Sequence, residues 1–428
     1  MFEGRSAFIM KQGIIAGTLI LAFILSAMVS LSGCGTSVQA ADLMAGVKSN
    51  AVSTDVDLAG DNAGAVADFA VNLFQNSVAP EGNTLISPLS VLCALAMTAN
   101  GAKDETLVQM ENVFGLSIPE LNDYLRSYLT NLPTGDKYKV SVADSIWFKD
   151  DESLAVESDF LQTNADYYGA SVYKVAFDDA TLNDINVWVN ENTDGMIENI
   201  LNEIPDEAVM YLINALAFDA EWEDIYREDQ VRDGTFTTES GKARDVKMMY
   251  NTESRYLDDG SATGFLKYYA DQKYAFAALL PNEGVSVADY VTALSGEGLM
   301  SALSNVQGVE VKTAIPRFES EYAVEMSDIL KSMGMSDAFD MDLADFTGLG
   351  KSEDGNIFIS RVIHKAYIAV DEKGTKAGAA TAVEMSATGA APSDKIKTVY
   401  LDRPFVYMLI DCETNLPIFI GTVMDIVQ

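Results

Sequence analysis

One large α+β domain over residues 62–428 is what this sequence predicts, on three observations. No internal repeat and no linker rich in Pro, Gly and Ser divides residues 65–428, so the chain reads as one unit although it is 428 residues long. Hydrophobic residues make up 48% of it, enough for a sizeable core and too many for a disordered main body. Apolar runs of helical character, such as the one around Cys93, occur in the same unit as strand-like runs, such as the one around Cys412.

Residues 1–33 read as an export signal. Ile14 to Leu31 is almost wholly apolar, follows Arg5 and Lys11, and runs into Leu31-Ser32-Gly33-Cys34, a bacterial lipoprotein cleavage box ending at the cysteine to be acylated. Met10-Lys11 offers a second start with a conventional charged leader. Two other readings stay open: cleavage after Val38-Gln39-Ala40 by an ordinary signal peptidase, and retention of the apolar run as a membrane span. The lipoprotein reading places the protein outside the cell or on its surface, lipid-anchored at Cys34 to a bacterial membrane. A lipid or signal anchor at the N-terminus is the only membrane contact expected. Residues 34–61, rich in Ala, Gly, Ser, Asp and Asn, read as a flexible tether.

Near the C-terminus a run of very small residues, Gly374-Thr375-Lys376-Ala377-Gly378-Ala379-Ala380-Thr381-Ala382-Val383-Glu384-Met385, lies between two strand-like segments with no turn punctuation. At period two, Thr375, Ala377, Ala379, Thr381, Val383 and Met385 share one face, while Lys376 and Glu384 share the other. That is the pattern of a strand without a sheet. A solvated linker of small residues is the competing reading of the run taken alone.

The flanks decide between them. Val362-Ile363-His364-Lys365-Ala366-Tyr367-Ile368-Ala369-Val370-Asp371-Glu372-Lys373-Gly374-Thr375 precedes the run; Arg403-Pro404-Phe405-Val406-Tyr407 and Pro417-Ile418-Phe419-Ile420-Gly421 follow it. Together they resemble the C-terminal third of a serpin. The likeness continues in family order through Asn83-Thr84-Leu85-Ile86-Ser87-Pro88-Leu89-Ser90, Gly101-Ala102-Lys103 with Thr106, Ile185-Asn186-Val187-Trp188-Val189-Asn190 with Thr193 and Gly195, and Leu212-Ile213-Asn214-Ala215-Leu216-Ala217-Phe218 leading to Trp222.

The resemblance implies a serpin fold: a large sheet A with sheets B and C, about eight to nine helices, and an exposed reactive-centre loop at about 372–400. It implies a hinge made of Glu372, Gly374, Thr375, Ala377, Ala379, Ala380 and Thr381. It implies a breach where the loop enters the sheet, with Trp222 and an Arg317–Glu372 pair, and a shutter beneath the sheet centre, where His364 hydrogen-bonds with Ser87, Ser90 and Asn214. The implied function is inhibition of a serine protease by a covalent suicide complex in which the cleaved loop inserts into sheet A. The protein is then a monomer with no cofactor and no enzymatic activity. Non-inhibitory serpins often carry bulky or charged hinge residues, and this hinge has small ones, so a binding or chaperone-like protein cleaved without trapping is the alternative.

Family spacing from Glu372 puts the reactive bond at Thr388-Gly389. The loop to Pro404 is longer than expected, which keeps Met385, Ala387 and Ala390 open. Each is uncharged and small or unbranched. A protease's first specificity pocket selects by size and charge, so the expected target is elastase-like or subtilisin-like and not trypsin-like.

Composition excludes other classes. The net charge of −36 leaves no basic footprint for nucleic acid. The stretch Ile118 to Arg126, where some serpins bind heparin, is acidic, so no polyanion activation is expected. His364 is the only histidine, no Gly-x-Ser-x-Gly elbow occurs, and no Cys/His spacing suits a metal. Asp345 to Ser352 imitates a phosphate loop but has Asp345 where its first glycine belongs. Cys93 and Cys412 are expected to be buried small hydrophobes, with a disulfide as the other option.

Overall fold

The computed structural model describes residues 40–427 apart from 53–55, 80–81, 133–134, 151–152, 206–207, 354 and 376–395. Among the described residues there are nine α-helices and three sheets of four or more strands. The expectation of three sheets with eight to nine helices is met.

The largest sheet has seven strands, in the order Ala41–Asp42, Ser171–Val175, Tyr138–Lys149, Met210–Glu221, Gly374–Thr375, Arg361–Val370 and Phe318–Glu325. The six-stranded sheet runs Thr84–Ile86, Pro417–Val423, Phe405–Asp411, Tyr274–Pro281, Ala262–Tyr268, Tyr256–Asp258. Its central strands are buried at every residue, which is why Tyr274–Pro281 and Phe405–Asp411 read as continuous apolar runs. A four-stranded sheet holds Lys397–Tyr400, Val311–Pro316, Ala243–Glu253 and Val231–Thr237.

Alternation along Met210–Glu221 assigns its two faces. Leu216, Phe218 and Ala220 join Phe276, Tyr407 and Phe405 in a core against the six-stranded sheet, while Tyr211, Ile213 and Ala215 pack with Ile185, Trp188 and Val189 of the helix Asp179–Asn192. That helix starts at Asp178, whose carboxylate accepts from the amides of Ala180 and Thr181. It lies on the sheet through Trp188, edge-on to Trp147 at 6.4 Å. Below the opposite face runs the helix Pro88–Ala99, buried at all its positions. Ser87 caps it by accepting from the Ser90 amide, and Pro88 takes the first-turn position where a missing N–H costs nothing.

Residues 34–61 are not a tether throughout. Ala41–Asp42 forms the outermost strand of the large sheet beside Ser171–Val175, and the Asn50 amide donates to Asp166 at 2.6 Å. Leu43, Met44, Val56 and Leu58 pack against the main core, and Tyr124 hydroxyl donates to Leu58 O at 3.0 Å. The composition that suggested solvation conceals enough apolar residues to dock. Cys34 and the rest of the export segment lie outside the described residues. Cys93 and Cys412 are both free; Cys93 is buried, whereas Cys412 is only half-buried, short of the expectation.

Candidate functional site

Two strands at the centre of the large sheet define the site. Met210–Glu221 and Arg361–Val370 pair in parallel from Tyr211↔Arg361 to Leu216↔Ala366 and then part. Gly374–Thr375 occupies the opening, antiparallel to both neighbours, with Thr375 opposite Ala220 on one side and Val370 on the other. The sheet is thus forked: closed by a parallel ladder below and wedged by two hinge residues above.

Gly374 is required by close approach. A Cβ there would lie 2.0 Å from the carbonyl oxygen of Ala220. Thr375 is fully buried, and its hydroxyl shares a hydrogen bond with that of Tyr269. Trp222 stacks on Tyr269 with ring centroids 4.3 Å apart and donates its indole N–H to Asp371 O at 2.8 Å. The Trp222 amide donates to Lys373 O at 2.8 Å, and the Tyr226 amide to Glu372 O at 2.9 Å. Asp371, Glu372, Lys373 and Thr375 are thus each held at a stated atom, and the carbonyl of Gly374 accepts from the Asp371 amide at 3.0 Å. Arg317 pairs with Glu372 at the surface, and such partly exposed pairs contribute about 1 kcal/mol or less.

Beneath the aromatic stack lies a buried cation. Lys267 pairs with Glu253 at 3.2 Å, donates to Asp224 O at 3.1 Å, and sits 4.5 Å from the Tyr226 ring and 5.3 Å from that of Trp222. Burial raises the Glu253 carboxyl, and Lys267 pulls it back.

The shutter residues also meet. His364 Nε2 accepts from the Ser87 amide at 3.1 Å, which leaves the proton on Nδ1 to be donated to Asn214 Oδ1. Burial pushes the imidazole pKa down to about 3, so the ring is neutral. The details depart from the sequence expectation in two ways. Ser87 engages His364 through its backbone, because its hydroxyl is committed to capping the helix. Ser90 does not touch His364; its hydroxyl donates to Asp144 at 3.0 Å.

Asp144 was not foreseen. It faces Asn214 in the antiparallel ladder as Asn214 faces His364 in the parallel one, so the three form a polar row across three strands. Its carboxyl lines a cleft of about 300 Å³ between Cys93, Leu129, Tyr168 and Trp188. The cleft exposes part of the residue, yet its apolar walls raise the carboxyl's pKa well above the usual range, and the Ser90 bond only partly offsets this. An acidic residue within an apolar strand was the available signal.

The remaining hinge residues Ala377, Ala379, Ala380 and Thr381, the reactive pair Thr388-Gly389, and Met385, Ala387 and Ala390 lie outside the described residues. No group of side chains able to hold a metal occurs among the described residues.

The profile of the family Serpin (serine protease inhibitor) matches residues 64–426. An uncharacterized serpin-like protein of Thermococcus kodakarensis is 30% identical over 371 residues, covering 84% of this chain and 85% of its own length. The leukocyte elastase inhibitor of Equus caballus is 26% identical over 359 residues, covering 80% and 93% respectively. Among solved structures, the thermophilic serpin tengpin in its native state superposes with a TM-score of 0.87 at 48% identity, covering 91% of this chain and all of that one.

Proposed function

Because this chain belongs to the serpin family, whose members are in general serine protease inhibitors and not catalysts, we propose that it traps a serine protease as a suicide substrate. The protease cleaves the reactive-centre loop and is held as an acyl-enzyme while the loop inserts as a new central strand. The observation that carries this reading is the fork: Gly374 and Thr375 already lie where the inserted strand would begin.

Register indicates where the strand would go. Each step along the loop is one step back along both neighbours, so Ala377 and Ala379 would fall opposite Phe218 and Leu216. Both alanines share the face of Thr375, which is turned into the packed core. Small side chains there cost little to bury. About ten new backbone hydrogen bonds at a net 0.5–1.5 kcal/mol each would supply on the order of 10 kcal/mol to distort a tethered protease.

The uncharged residues at Thr388, Gly389, Met385, Ala387 and Ala390 support an elastase-like or subtilisin-like target, and an elastase inhibitor is among the relatives. Export with acylation at Cys34 would place the inhibitor on the outer face of a membrane, where foreign proteases are met. The protein would act as a monomer without heparin.

Mixing the protein from residue 40 onward, which keeps the docked segment around Ala41–Asp42 and Leu58, with pancreatic elastase and, separately, with trypsin, followed by denaturing gels and mass measurement of the released C-terminal peptide, tests this. A band at the summed mass with elastase is expected, and the peptide fixes the reactive bond. Cleavage without that band means a non-inhibitory protein. A complex with trypsin alone overturns the choice of bond.

A further inference from the structure

We propose that Tyr269 is a positioning residue for loop insertion, a latch whose hydroxyl holds Thr375 in the mouth of the sheet so that the first step of insertion is made before any protease arrives. The proposal rests on the trapping mechanism above for its consequence, but not for its geometry.

Four observations carry it. Tyr269 and Thr375 are both fully buried, and their hydroxyls bond to each other. Neither hydroxyl has water to fall back on, so separating them strands a buried polar group on each side. Tyr269 is itself fixed: Trp222 stacks on one side of its ring at 13°, Phe218 meets it edge-on at 5.1 Å, and its amide donates to Tyr274 O at 3.0 Å. Burial pushes its phenol well up, which keeps the hydroxyl protonated and able to donate.

The latch also joins two checks on hinge position. Trp222, stacked on Tyr269, grips Asp371 O through its indole, while Thr375 four residues on is gripped by the tyrosine beneath. Withdrawing the hinge therefore breaks the threonine bond and the backbone pairing of Gly374 and Thr375 together. With the latch closed, the cleaved loop lengthens an existing strand. Without it, the loop must first find the opening while the acyl-enzyme is being hydrolysed.

Tyr269→Phe removes only the hydroxyl and keeps the aromatic stack. The first readout is amide hydrogen exchange in peptides covering Asp371–Thr375 of the intact protein. Exchange is expected to quicken about 2- to 10-fold, the equilibrium shift from one lost net hydrogen bond. Thr375→Val should do the same, and the double variant should be no faster than either single. The second readout is the ratio of cleaved to trapped inhibitor with elastase, expected to rise by a similar factor at unchanged cleavage rate.

Unchanged exchange in Tyr269→Phe overturns the latch. So does quickening that adds fully in the double variant. Should Tyr269→Phe loosen the core around it, seen as faster exchange in Tyr274–Pro281 of the six-stranded sheet as well, Thr375→Val decides alone. If the variants show the exchange effect while the wild-type protein never forms a covalent complex, the inhibitor reading falls and the latch stands.

Discussion

His364 donates its Nδ1 proton to Asn214 Oδ1 across the parallel ladder, two residue pairs below the Leu216–Ala366 pair at which the strands diverge. Its other nitrogen holds the Ser87 amide at the head of the central helix. The bond is thus the first polar obstacle that a lengthening strand meets. A buried network can be parted only if what enters satisfies what is left behind.

Thr381 is placed to do so. It lies six residues beyond Thr375, and Asn214 and His364 lie six residues before Ala220 and Val370, the two residues that Thr375 now faces. Under the insertion proposed above, continuing the register of Thr375 would bring the Thr381 hydroxyl between the separated partners. Thr381→Val should leave the intact protein's thermal unfolding unchanged and destabilise the cleaved form by about 1–3 kcal/mol, read by guanidinium titration of both forms. Equal effects on the two forms refute the register.

Thr375→Arg places a guanidinium among Tyr269, Phe218 and Trp222, where an unpaired charge costs several kcal/mol. The hinge should leave the sheet and the protein become a plain substrate. Denaturing gels with elastase should show cleaved loop and no covalent band; a persistent band contradicts the burial argument.

Stability should fall with acid through His364. Its pKa is depressed to about 3 in the folded state, so between about pH 6.5 and 3 the unfolded chain binds a proton that the native ring refuses. Stability is full above that window and is lost on descent through it at about 1.4 kcal/mol per pH unit. As the chain has one histidine, a single imidazole resonance reports the site. That resonance should not titrate near pH 6.5, and His364→Asn should flatten the acid slope by one proton.

Asp144 has the opposite sign. Its folded pKa is raised, so the native state keeps a proton that the unfolded chain releases above about pH 4, and stability drains away as pH rises through the folded pKa. Asp144→Asn, which mimics the protonated form, should raise thermal stability at pH 7.5, with the gain shrinking toward pH 4. A constant gain across that range would mean that the folded carboxyl binds its proton no more tightly than the unfolded one, against the raised pKa.

The hinge was legible because a strand that must be buried on one face writes a period of two, and Gly374 and Thr375 occupy the sheet in the phase that the pattern gives. The positions of His364, Asn214, Trp222, Arg317 and Glu372 followed from the resemblance to a family. Tyr269 and Asp144 did not, because each acquires its partner across more than fifty residues of chain: Tyr269 carries no local signature, and an acidic residue within an apolar strand marks Asp144 without naming its partner. The docking of Leu43, Met44, Val56 and Leu58 was missed for a different reason: scattered single apolar residues among Ala, Gly and Asp resemble a solvated segment until the surface that receives them is known.

The short strand Ala41–Asp42 bears on solubility. An open sheet offers unpaired backbone at both margins, where any extended segment can add and start an aggregate. Here one margin is covered by this two-residue strip, and the other, Phe318–Glu325, carries Glu319, Glu321 and Glu325. Negative side chains and so short a lip discourage lateral growth by neighbouring molecules. For the strand insertion proposed above, this means that the outer borders are guarded and the opening at Gly374–Thr375 is confined to the interior of the sheet.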